Sequence, residues 1–301
     1  MTRANAILLL LLAVVWGASF LFIRVAAPVL GPIPLVELRV ATGAVALLLV
    51  GRSAALRTFR ERIPAFLVLG LLNNVAPFCL IATAELVLPA SIAAILNATT
   101  PLATAVAGAI LLSQPLTARR VAGLVIALAG VVVLVGWSPL PPGIPTILAV
   151  GASFGGAIAY ALGALYAGRA MRGLPAMHIA TGQLVASALI ALPAAVVTAP
   201  RGPVPVGAVV CVVALGLVCT AAAYPIYFRI IAQAGALAAS SVTFLVPVTG
   251  VLWGVLLLSE PFTPAMVAGM ATVLGGLVLV IRPASARPSA RVPAPVLEAT
   301  R

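Results

Sequence analysis

The sequence lacks two residue types entirely and is poor in a third. It contains no aspartate and no lysine, and its only histidine is His178. A Walker A phosphate loop requires a lysine, and a P-type ATPase requires an aspartate to phosphorylate, so neither kind of ATP-driven pump fits. One histidine cannot form a histidine-rich zinc site. We therefore expect no cofactor.

Cysteines and acidic residues are also scarce. Three scattered cysteines in apolar runs indicate no disulfide framework. The acidic residues are five glutamates, which 17 arginines outnumber to give a net charge of +12. The arginines lie in short loops, as on the cytoplasmic side of a membrane protein. We therefore expect a lipid bilayer and no nucleic acid as partner.

Apolar residues dominate the chain. The composition is 63% hydrophobic and 7% charged, against about 45–50% and 25% in soluble domains. Apolar runs long enough for a bilayer core recur about ten times, and only helices satisfy the backbone there. The sequence predicts an all-α integral membrane protein with ten transmembrane helices at 5–23, 33–51, 64–86, 89–112, 119–137, 144–168, 175–198, 205–230, 236–258 and 264–282.

The arginines also predict the orientation. With the N-terminus in the cytoplasm, ten alternating spans put 14 of the 17 arginines on the cytoplasmic side. Both termini are then cytoplasmic. Residues 1–23 are interpreted as a retained span rather than a signal peptide, because nine more spans follow. Residues 283–301 are rich in Pro, Ala and Arg, which predicts a disordered basic tail.

One stretch of the chain occurs twice. Residues 101–130 recur as 247–276, an offset of 146 residues (247 minus 101), so that Pro101 matches Pro247 and Gly130 matches Gly276. This predicts two five-helix repeats, 1–137 and 138–282. Five is odd, so the second repeat enters the membrane inverted. Secondary transporters share this plan, with a small-molecule substrate bound between the halves.

Pro101 and Pro247 fall near the middle of spans four and nine, and we interpret them as hinge candidates. A proline within a helix frees a carbonyl four residues earlier, here those of Asn97 and Thr243. Two interpretations remain open. One is a static kink closed by threonine hydroxyls such as that of Thr100, and the other is a flexible cavity wall.

Polar and aromatic side chains at helical spacing could line a mostly apolar cavity suited to an organic substrate. Individually, each also fits helix–helix hydrogen bonding or core packing. The candidates for substrate binding are Trp16, Ser19, Asn73, Asn74, Phe78, Asn97, Thr100, Tyr160, Tyr224, Thr243 and Trp253.

Three ionisable residues lie within or near the predicted spans. Glu37 and Arg39 are close to the outer end of span two, and Glu85 is close to that of span three. Such groups are functional candidates in a membrane. The favoured interpretation is interfacial snorkelling or a structural ion pair between Arg39 and Glu85. Glu37 is the best carboxylate for proton coupling, if transport is coupled.

The turns after the two prolines indicate scaffold. Thr117 and Thr263 are predicted N-caps of spans five and ten, the second followed by a favourable Pro264. Glu260, in the second of these turns, is expected at the membrane interface, with Gln114 as its uncharged counterpart.

These features together resemble the EamA-type family of the drug/metabolite transporter superfamily. The resemblance covers about residues 5–282 and rests on Trp16-Gly17-Ala18-Ser19-Phe20, on Pro34 with Arg39, and on the proline and Glu/Gln-Pro-Leu/Phe-Thr turn of both halves. It implies a ten-helix inverted repeat in the cytoplasmic membrane, with spans one, three, four, six, eight and nine around a central cavity. Gln114 departs from the family's usual glutamate.

We therefore expect a secondary transporter, not an enzyme, that moves an amino acid-like or drug-like metabolite across the cytoplasmic (inner) membrane by alternating access. Export is the favoured direction. The cavity is expected to be uncharged. The alternative is a non-transporting membrane protein, such as an intramembrane enzyme or an assembly factor. The sequence leaves the substrate, the coupling ion and the oligomeric state open.

Overall fold

The computed structural model describes residues 2–113, 116–234 and 242–281, and every regular element in these ranges is helical. Two of the elements are π-helical segments: Leu71–Val75 joins α3 to α4, and Leu217–Ala222 joins α10 to α11. The predicted tail at 283–301 and Gln114 lie outside the described residues. The α-helices are α1 Arg3–Leu30, α2 Pro32–Glu61, α3 Ile63–Gly70, α4 Ala76–Ala84, α5 Ala90–Asn97, α6 Thr100–Leu112, α7 Ala118–Trp137, α8 Ile144–Ala170, α9 Ala176–Val197, α10 Val206–Gly216, α11 Ala223–Ala234, α12 Val242–Leu258 and α13 Pro264–Ile281.

The helices have the length and polarity of membrane spans. Within the described ranges, eight helical stretches are long and apolar enough to cross a bilayer, and two shorter apolar helices, Val242–Leu258 and Pro264–Val280, follow them. Large apolar side chains such as Leu49, Ile110 and Val132 are exposed on the outside of the bundle. Lipid tails are as apolar as these side chains, so their exposure is expected in a bilayer. The chain is a multi-pass membrane protein.

The first two helices are longer than predicted and meet at a single residue. α1 continues past Arg24, whose Nη1 donates to the carbonyl oxygen of Glu85, and so the charge does not end the helix. Gly31 ends it with φ of 80°, a left-handed value that favours glycine. Pro32 then begins α2, in the first-turn position that suits proline.

Both predicted N-caps are confirmed. The Thr117 hydroxyl accepts a hydrogen bond from the Arg120 backbone N–H at 3.3 Å, and α7 begins at the next residue. The Thr263 hydroxyl accepts from the Met266 N–H at 3.2 Å, and α13 begins at Pro264. These caps satisfy N–H groups that have no partner within their own helix.

Helices α7 and α13 pack with almost no space between their backbones. A Cβ on Gly123 would lie 2.6 Å from the carbonyl oxygen of Gly276, and one on Gly276 would lie 2.5 Å from that of Gly123. Likewise, a Cβ on Gly130 or on Gly269 would lie 3.0 Å from the carbonyl oxygen of the other. These four glycines are matched pairs of the sequence repeat, Gly123 with Gly269 and Gly130 with Gly276. The repeated glycines therefore allow the two helices to cross closely.

Two side chains of helix α12 form hydrogen bonds with the backbone of α1. Thr249 Oγ1 lies 2.7 Å from the carbonyl oxygen of Ala13, and Trp253 Nε1 donates to the carbonyl oxygen of Val14 at 3.0 Å. A Cβ on Gly17 would overlap the Thr249 side chain. This close approach gives a packing reason for glycine in the Trp16-Gly17-Ala18 sequence.

Candidate functional site

A cavity of about 520 Å³ lies at the centre of the bundle. Its walls come from helices in both halves of the chain: α1, α2, the α3–α4 stretch and the α5–α6 region lie before residue 138, and α8, α9, the α10–α11 stretch and α12 lie after it. Small-molecule sites are typically about 300–1,000 Å³ and mostly apolar with a few polar groups. The cavity therefore has the size and lining of a site for a small organic molecule.

Most of the candidate residues line this cavity. Nine of the eleven residues suggested for substrate binding do so, together with the hinge candidate Pro247 and with Arg39. These nine are Trp16, Ser19, Asn73, Phe78, Asn97, Thr100, Tyr160, Tyr224 and Thr243.

Five candidates do not line the cavity. Asn74 is fully buried between helices. Trp253 is half-buried against α1, where it donates to a backbone carbonyl. Pro101 is the second residue of α6, and Glu37 and Glu85 are buried elsewhere. For Asn74 and Trp253 the geometry is that of helix packing, the alternative considered for each of them.

The two π-helical segments are related by the spacing of the sequence repeat. Leu71 and Leu217, which begin them, are 146 residues apart, the same offset as the sequence repeat. A π-helical turn holds an extra residue and is frequent at functional sites. The first segment carries Asn73 and the second carries Thr220, and both line the cavity.

Hydrogen bonds to α9 fix the first π segment. Asn73 Nδ2 donates to Gln183 Oε1 at 2.9 Å, and Asn74 Nδ2 donates to Ser187 Oγ at 3.0 Å. Tyr224 O–H in turn donates to Asn74 Oδ1 at 3.4 Å. Asn74 therefore supports a cavity residue, Tyr224, from behind the cavity wall.

The helix of the fourth predicted span is broken where the proline signal suggested a kink. α5 ends at Asn97 and α6 begins at Thr100. The Thr99 hydroxyl donates to the Leu96 carbonyl oxygen at 2.7 Å, and the Thr100 hydroxyl donates to that of Asn97 at 2.8 Å. Threonine hydroxyls thus satisfy the carbonyls near the break, while the side chains of Asn97 and Thr100 line the cavity.

The second proline has a different effect. α12 runs through Pro247 from Val242 to Leu258 without interruption, and Pro247 itself lines the cavity. Thr249 Oγ1 lies within 3.2 Å of the Leu245 and Val246 carbonyl oxygens, next to the proline. The matched prolines therefore do not have matched surroundings: one lies just after a break, and the other lies within a continuous helix.

Arg39 is the charged residue of the cavity. Its side chain is buried, Nε donates to Thr220 Oγ1 at 3.2 Å, and the guanidinium carbon lies 3.8 Å from the centre of the Phe78 ring. A cation over an aromatic face is attracted by the ring. The expectation of an uncharged cavity is therefore wrong, because the cavity wall includes this guanidinium.

The predicted ion pair between Arg39 and Glu85 does not form. In the described part of the chain the ion pair present is Arg57 with Glu61, on the surface of α2. Both carboxylate oxygens of Glu85 are buried without a hydrogen-bond partner, and so is Oε2 of Glu37. The ion pair was one of the two interpretations considered, and the contacts recorded for the guanidinium are instead with Thr220 and Phe78, which are remote in sequence.

Aromatic rings form much of the cavity wall. Trp16 and Tyr227 lie with ring centres 5.4 Å apart, and Phe78 meets Tyr160 edge to face at 6.2 Å. The sequence analysis did not single out Tyr227, although it lies three residues after Tyr224 and therefore on the same helix face. Phe20 and Ile81 also line the cavity but were not among the candidates for substrate binding, because an apolar side chain gives no signal that separates cavity from core.

Glu260 has a structural role that its expected interfacial position did not reveal. Its carboxylate accepts hydrogen bonds from the backbone N–H groups of Ala90 at 2.7 Å and of Ser91 at 3.0 Å, and from the Ser91 hydroxyl. A carboxylate at a helix N-terminus satisfies free N–H groups and complements the helix dipole. Glu260 therefore caps α5, from a turn 170 residues later in the chain.

Comparisons with known proteins agree with this architecture. A curated relative from Salmonella typhimurium, named as a probable amino-acid metabolite efflux pump, is 27% identical over 309 aligned residues, which cover 97% of this chain and 99% of the relative. A solved crystal structure has a similar fold, with a TM-score of 0.66 at 19% identity over 93% of this chain and 97% of that one.

The sequence model of one family matches nearly the whole chain. It covers residues 4–136 and 147–282, and it is described as the EamA-like transporter family. The resemblance drawn from the sequence is thereby confirmed: this multi-pass membrane protein belongs to the EamA-like transporter family.

Proposed function

We propose that the protein is a secondary transporter that exports a small amphipathic metabolite, such as an amino acid, across the cytoplasmic membrane by alternating access. The observation that carries the proposal is the central cavity, which is large enough for a small metabolite and has walls from helices in both halves of the chain. The name of the relative, a probable amino-acid metabolite efflux pump, supports both the substrate class and the direction.

The character of the cavity wall supports an amphipathic substrate. Trp16, Phe78, Tyr160 and Tyr224 present aromatic surface for an apolar part of the substrate. Asn73 and Thr243 are polar groups of the same wall, and they offer hydrogen bonds that fix its orientation. We propose that all nine lining candidates contact the substrate.

Two inverted repeats, 1–137 and 138–282, are the proposed basis of alternating access. Several features recur at the same offset of 146 residues: the prolines, the π segments, and Ser113 and Ser259, which have left-handed φ values of 53° and 54°. The reciprocal contacts of the repeated glycines between α7 and α13 also fit a two-fold relation between the halves. In this scheme the halves rock about the cavity, with the break before Pro101 and the helix around Pro247 as hinges.

Flux through the purified protein is the direct test. The full chain, reconstituted alone into liposomes, is expected to move labelled amino acids or related metabolites, and Ala164→Trp, which fills the cavity at an exposed wall position, should stop it. Val132→Trp, on the exposed outer surface, is the matched control and should leave flux unchanged. No flux of any compound in a broad panel would leave a non-transporting membrane protein as the better interpretation.

Orientation and direction need a second measurement. Arginine bias supports cytoplasmic termini, and inside-out vesicles that carry the protein should therefore accumulate substrate if it exports. Protease digestion of a C-terminal epitope tag should occur in inside-out vesicles and not in right-side-out vesicles. Uptake by right-side-out vesicles alone would contradict the proposed direction.

Glu37 is the proposed coupling carboxylate. It is buried in α2 with one oxygen unpartnered, as suits a site that gains and loses a proton. If a proton gradient drives transport through this residue, Glu37→Gln should retain substrate binding and lose the dependence of flux on pH. Full pH-dependent flux in Glu37→Gln removes that role, and facilitated diffusion then needs no coupling carboxylate.

A further inference from the structure

We propose that the guanidinium of Arg39 binds a carboxylate of the transported molecule, so that the substrates are amphiphiles with a single carboxylate and an apolar body. This inference rests on the proposed transport function and narrows its substrate class. It starts from a feature that the sequence did not suggest: a buried cation in the wall of an otherwise uncharged cavity.

The neighbours of Arg39 leave one edge of its guanidinium available. An arginine side chain has five N–H donors, one on Nε and four on the two Nη atoms. Nε donates to Thr220 Oγ1, and the Phe78 ring covers one face of the guanidinium. The Nη groups have no hydrogen-bond partner among the described residues. The edge formed by both Nη atoms is the one that carboxylates contact end-on with two parallel hydrogen bonds.

Thr220 and Phe78 also fix the direction of that edge. The Thr220 hydroxyl accepts from Arg39 Nε and donates to the Leu215 carbonyl oxygen at 2.8 Å, five residues earlier, as the π segment allows. The hydroxyl is therefore held by the helix that carries it, and the guanidinium is held between this hydroxyl and the ring. A guanidinium fixed before binding loses little freedom when a ligand arrives.

Charge balance points to an anion. A buried cation without a partner is costly in a membrane, and Arg39 forms no ion pair within the described part of the chain. Glu37, two residues away on α2, points to another helix face. The buried Glu85 carboxylate interacts with Arg39 electrostatically but forms no hydrogen bond or ion pair with it. A substrate anion bound to the Nη edge would supply a negative charge, and the Thr220 and Phe78 contacts hold the guanidinium in place when no anion is bound.

The same balance favours a carboxylate over a phosphate. Arg39 contributes one positive charge, and it is the charged residue among those lining the cavity. A phosphate monoester carries about −1.5 to −2 at pH 7, which leaves excess negative charge in an apolar site. A carboxylate carries one negative charge and matches the planar guanidinium edge. The aromatic wall then accommodates the remainder of the molecule.

Matched acid and amide pairs test the inference. The probes are L-phenylalanine against L-phenylalaninamide, L-leucine against L-leucinamide, and 3-phenylpropionate against 3-phenylpropanamide, each titrated into the full chain in detergent while thermal stabilisation is measured. The wild type should bind at least one acid more tightly than its amide by roughly 10- to 100-fold, as expected for charge-assisted hydrogen bonds. Amides that bind as well as the acids overturn the inference, and so does failure of all three acids to bind.

Variants assign the preference to one side chain. Arg39→Gln should bind acid and amide alike, and Arg39→Lys should lose part of the preference because it keeps the charge and not the planar edge. Arg24→Gln is the matched control: Arg24 is outside the cavity wall, and the variant should keep the wild-type preference. An acid preference that persists in Arg39→Gln overturns the inference.

Failure of the carboxylate inference can be distinguished from misfolding of a variant and from failure of the proposed transport function. The comparison of acids with amides in the wild type needs no variant, so it decides the matter even if Arg39→Gln fails to fold. Flux in liposomes is measured separately: flux of a neutral or cationic compound without any acid preference would refute the carboxylate inference and leave the proposed transport function standing.

Discussion

Two adjacent glycines of α13 have opposite surroundings, and replacing each with alanine tests the packing of α13 on α7. A Cβ on Gly276 would lie 2.5 Å from the Gly123 carbonyl oxygen and 2.7 Å from the Ala127 backbone nitrogen. A Cβ on Gly275 would have nothing within 4 Å. Because the obstacle at Gly276 is backbone, a side chain there requires the two helices to separate.

The expected magnitude follows from two effects. Replacing glycine with alanine inside a helix stabilises the folded state by about 0.5–1 kcal/mol through conformational entropy. Both variants receive this gain, so it cancels in their difference. Overpacking at Gly276 destabilises by about 1–3 kcal/mol. Gly276→Ala should therefore be about 1–3 kcal/mol less stable than Gly275→Ala, and Gly275→Ala should equal or exceed the wild type.

Native cysteines provide an assay. Cys219 is only 2% exposed, and a thiol-reactive fluorophore added during heating reports when the interior opens. The entropy of unfolding is about 2.1 cal/mol/K per residue, so one kcal/mol shifts the melting temperature of a chain of 301 residues by about 1.5 °C. We expect Gly276→Ala to melt about 1.5–5 °C below Gly275→Ala. Identical melting of the two variants would refute the close packing described for this seam.

Three further predictions concern the cap, the support behind the cavity and the cavity wall. Glu260→Ala should lower the free energy of unfolding by about 1–3 kcal/mol, because backbone N–H groups of α5 lose a charged acceptor; the thermal assay measures this, and a loss below about 0.5 kcal/mol contradicts the cap. Asn74→Leu removes the acceptor that Asn74 offers to the Tyr224 hydroxyl and the donor that it offers to the buried Ser187. The variant should lower the free energy of unfolding by about 1–3 kcal/mol and raise KM for transport. Unchanged KM and stability would contradict the supporting role of Asn74. Trp16→Ala should raise KM severalfold by removing cavity wall, whereas Trp253→Ala should lower stability and leave KM unchanged, since Trp253 packs on α1; equal KM values for both variants would contradict the assignment of only one tryptophan to the cavity.

Long apolar runs, and the polar residues within them, were sufficient to predict a helical membrane protein and most of the residues that line the cavity. An apolar run of about 20 residues has few options in a bilayer besides a helix. Polar and aromatic residues within such runs stand out against an apolar background. This contrast explains why Asn73 and Phe78 of the third predicted span and Thr243 of the ninth were predicted to share a site and do line one cavity.

The contrast between polar residues and their apolar background could not distinguish residues of the cavity wall from residues at a helix interface. Asn74 and Trp253 have the residue types of cavity walls, yet the first bonds to Ser187 on α9 and the second to a backbone carbonyl of α1. Successive residues of a helix point in directions about 100° apart. A small error in the predicted rotation of a helix therefore moves a residue from the cavity wall to a helix interface, or the reverse. The π segments add to this rotation. A proline follows shortly after each π segment, Pro77 after the first and Pro225 after the second, and such prolines indicate an irregular helix.

Charged residues were hardest to predict because their partners are chosen across the bundle. A pair between Arg39 and Glu85 was one interpretation, whereas Arg39 contacts Thr220 and Phe78 in the structure. Glu260 caps α5, which lies 170 residues earlier in the chain. Nothing local in sequence links these residues. Their contacts depend on which helices are neighbours and how far each is shifted along its axis.

The sequence by itself determined a helical membrane protein with two related parts. The bilayer restricts the backbone to helices, and the similarity of residues 101–130 to residues 247–276 is visible in the sequence itself. It also determined both N-caps, since a threonine cap acts on N–H groups two or three residues away. Only the tertiary structure decided which polar residues face the cavity, that the repeated glycines meet across α7 and α13, and that a buried guanidinium lines the cavity. These features depend on the rotation and axial position of packed helices, which contacts between remote residues determine together.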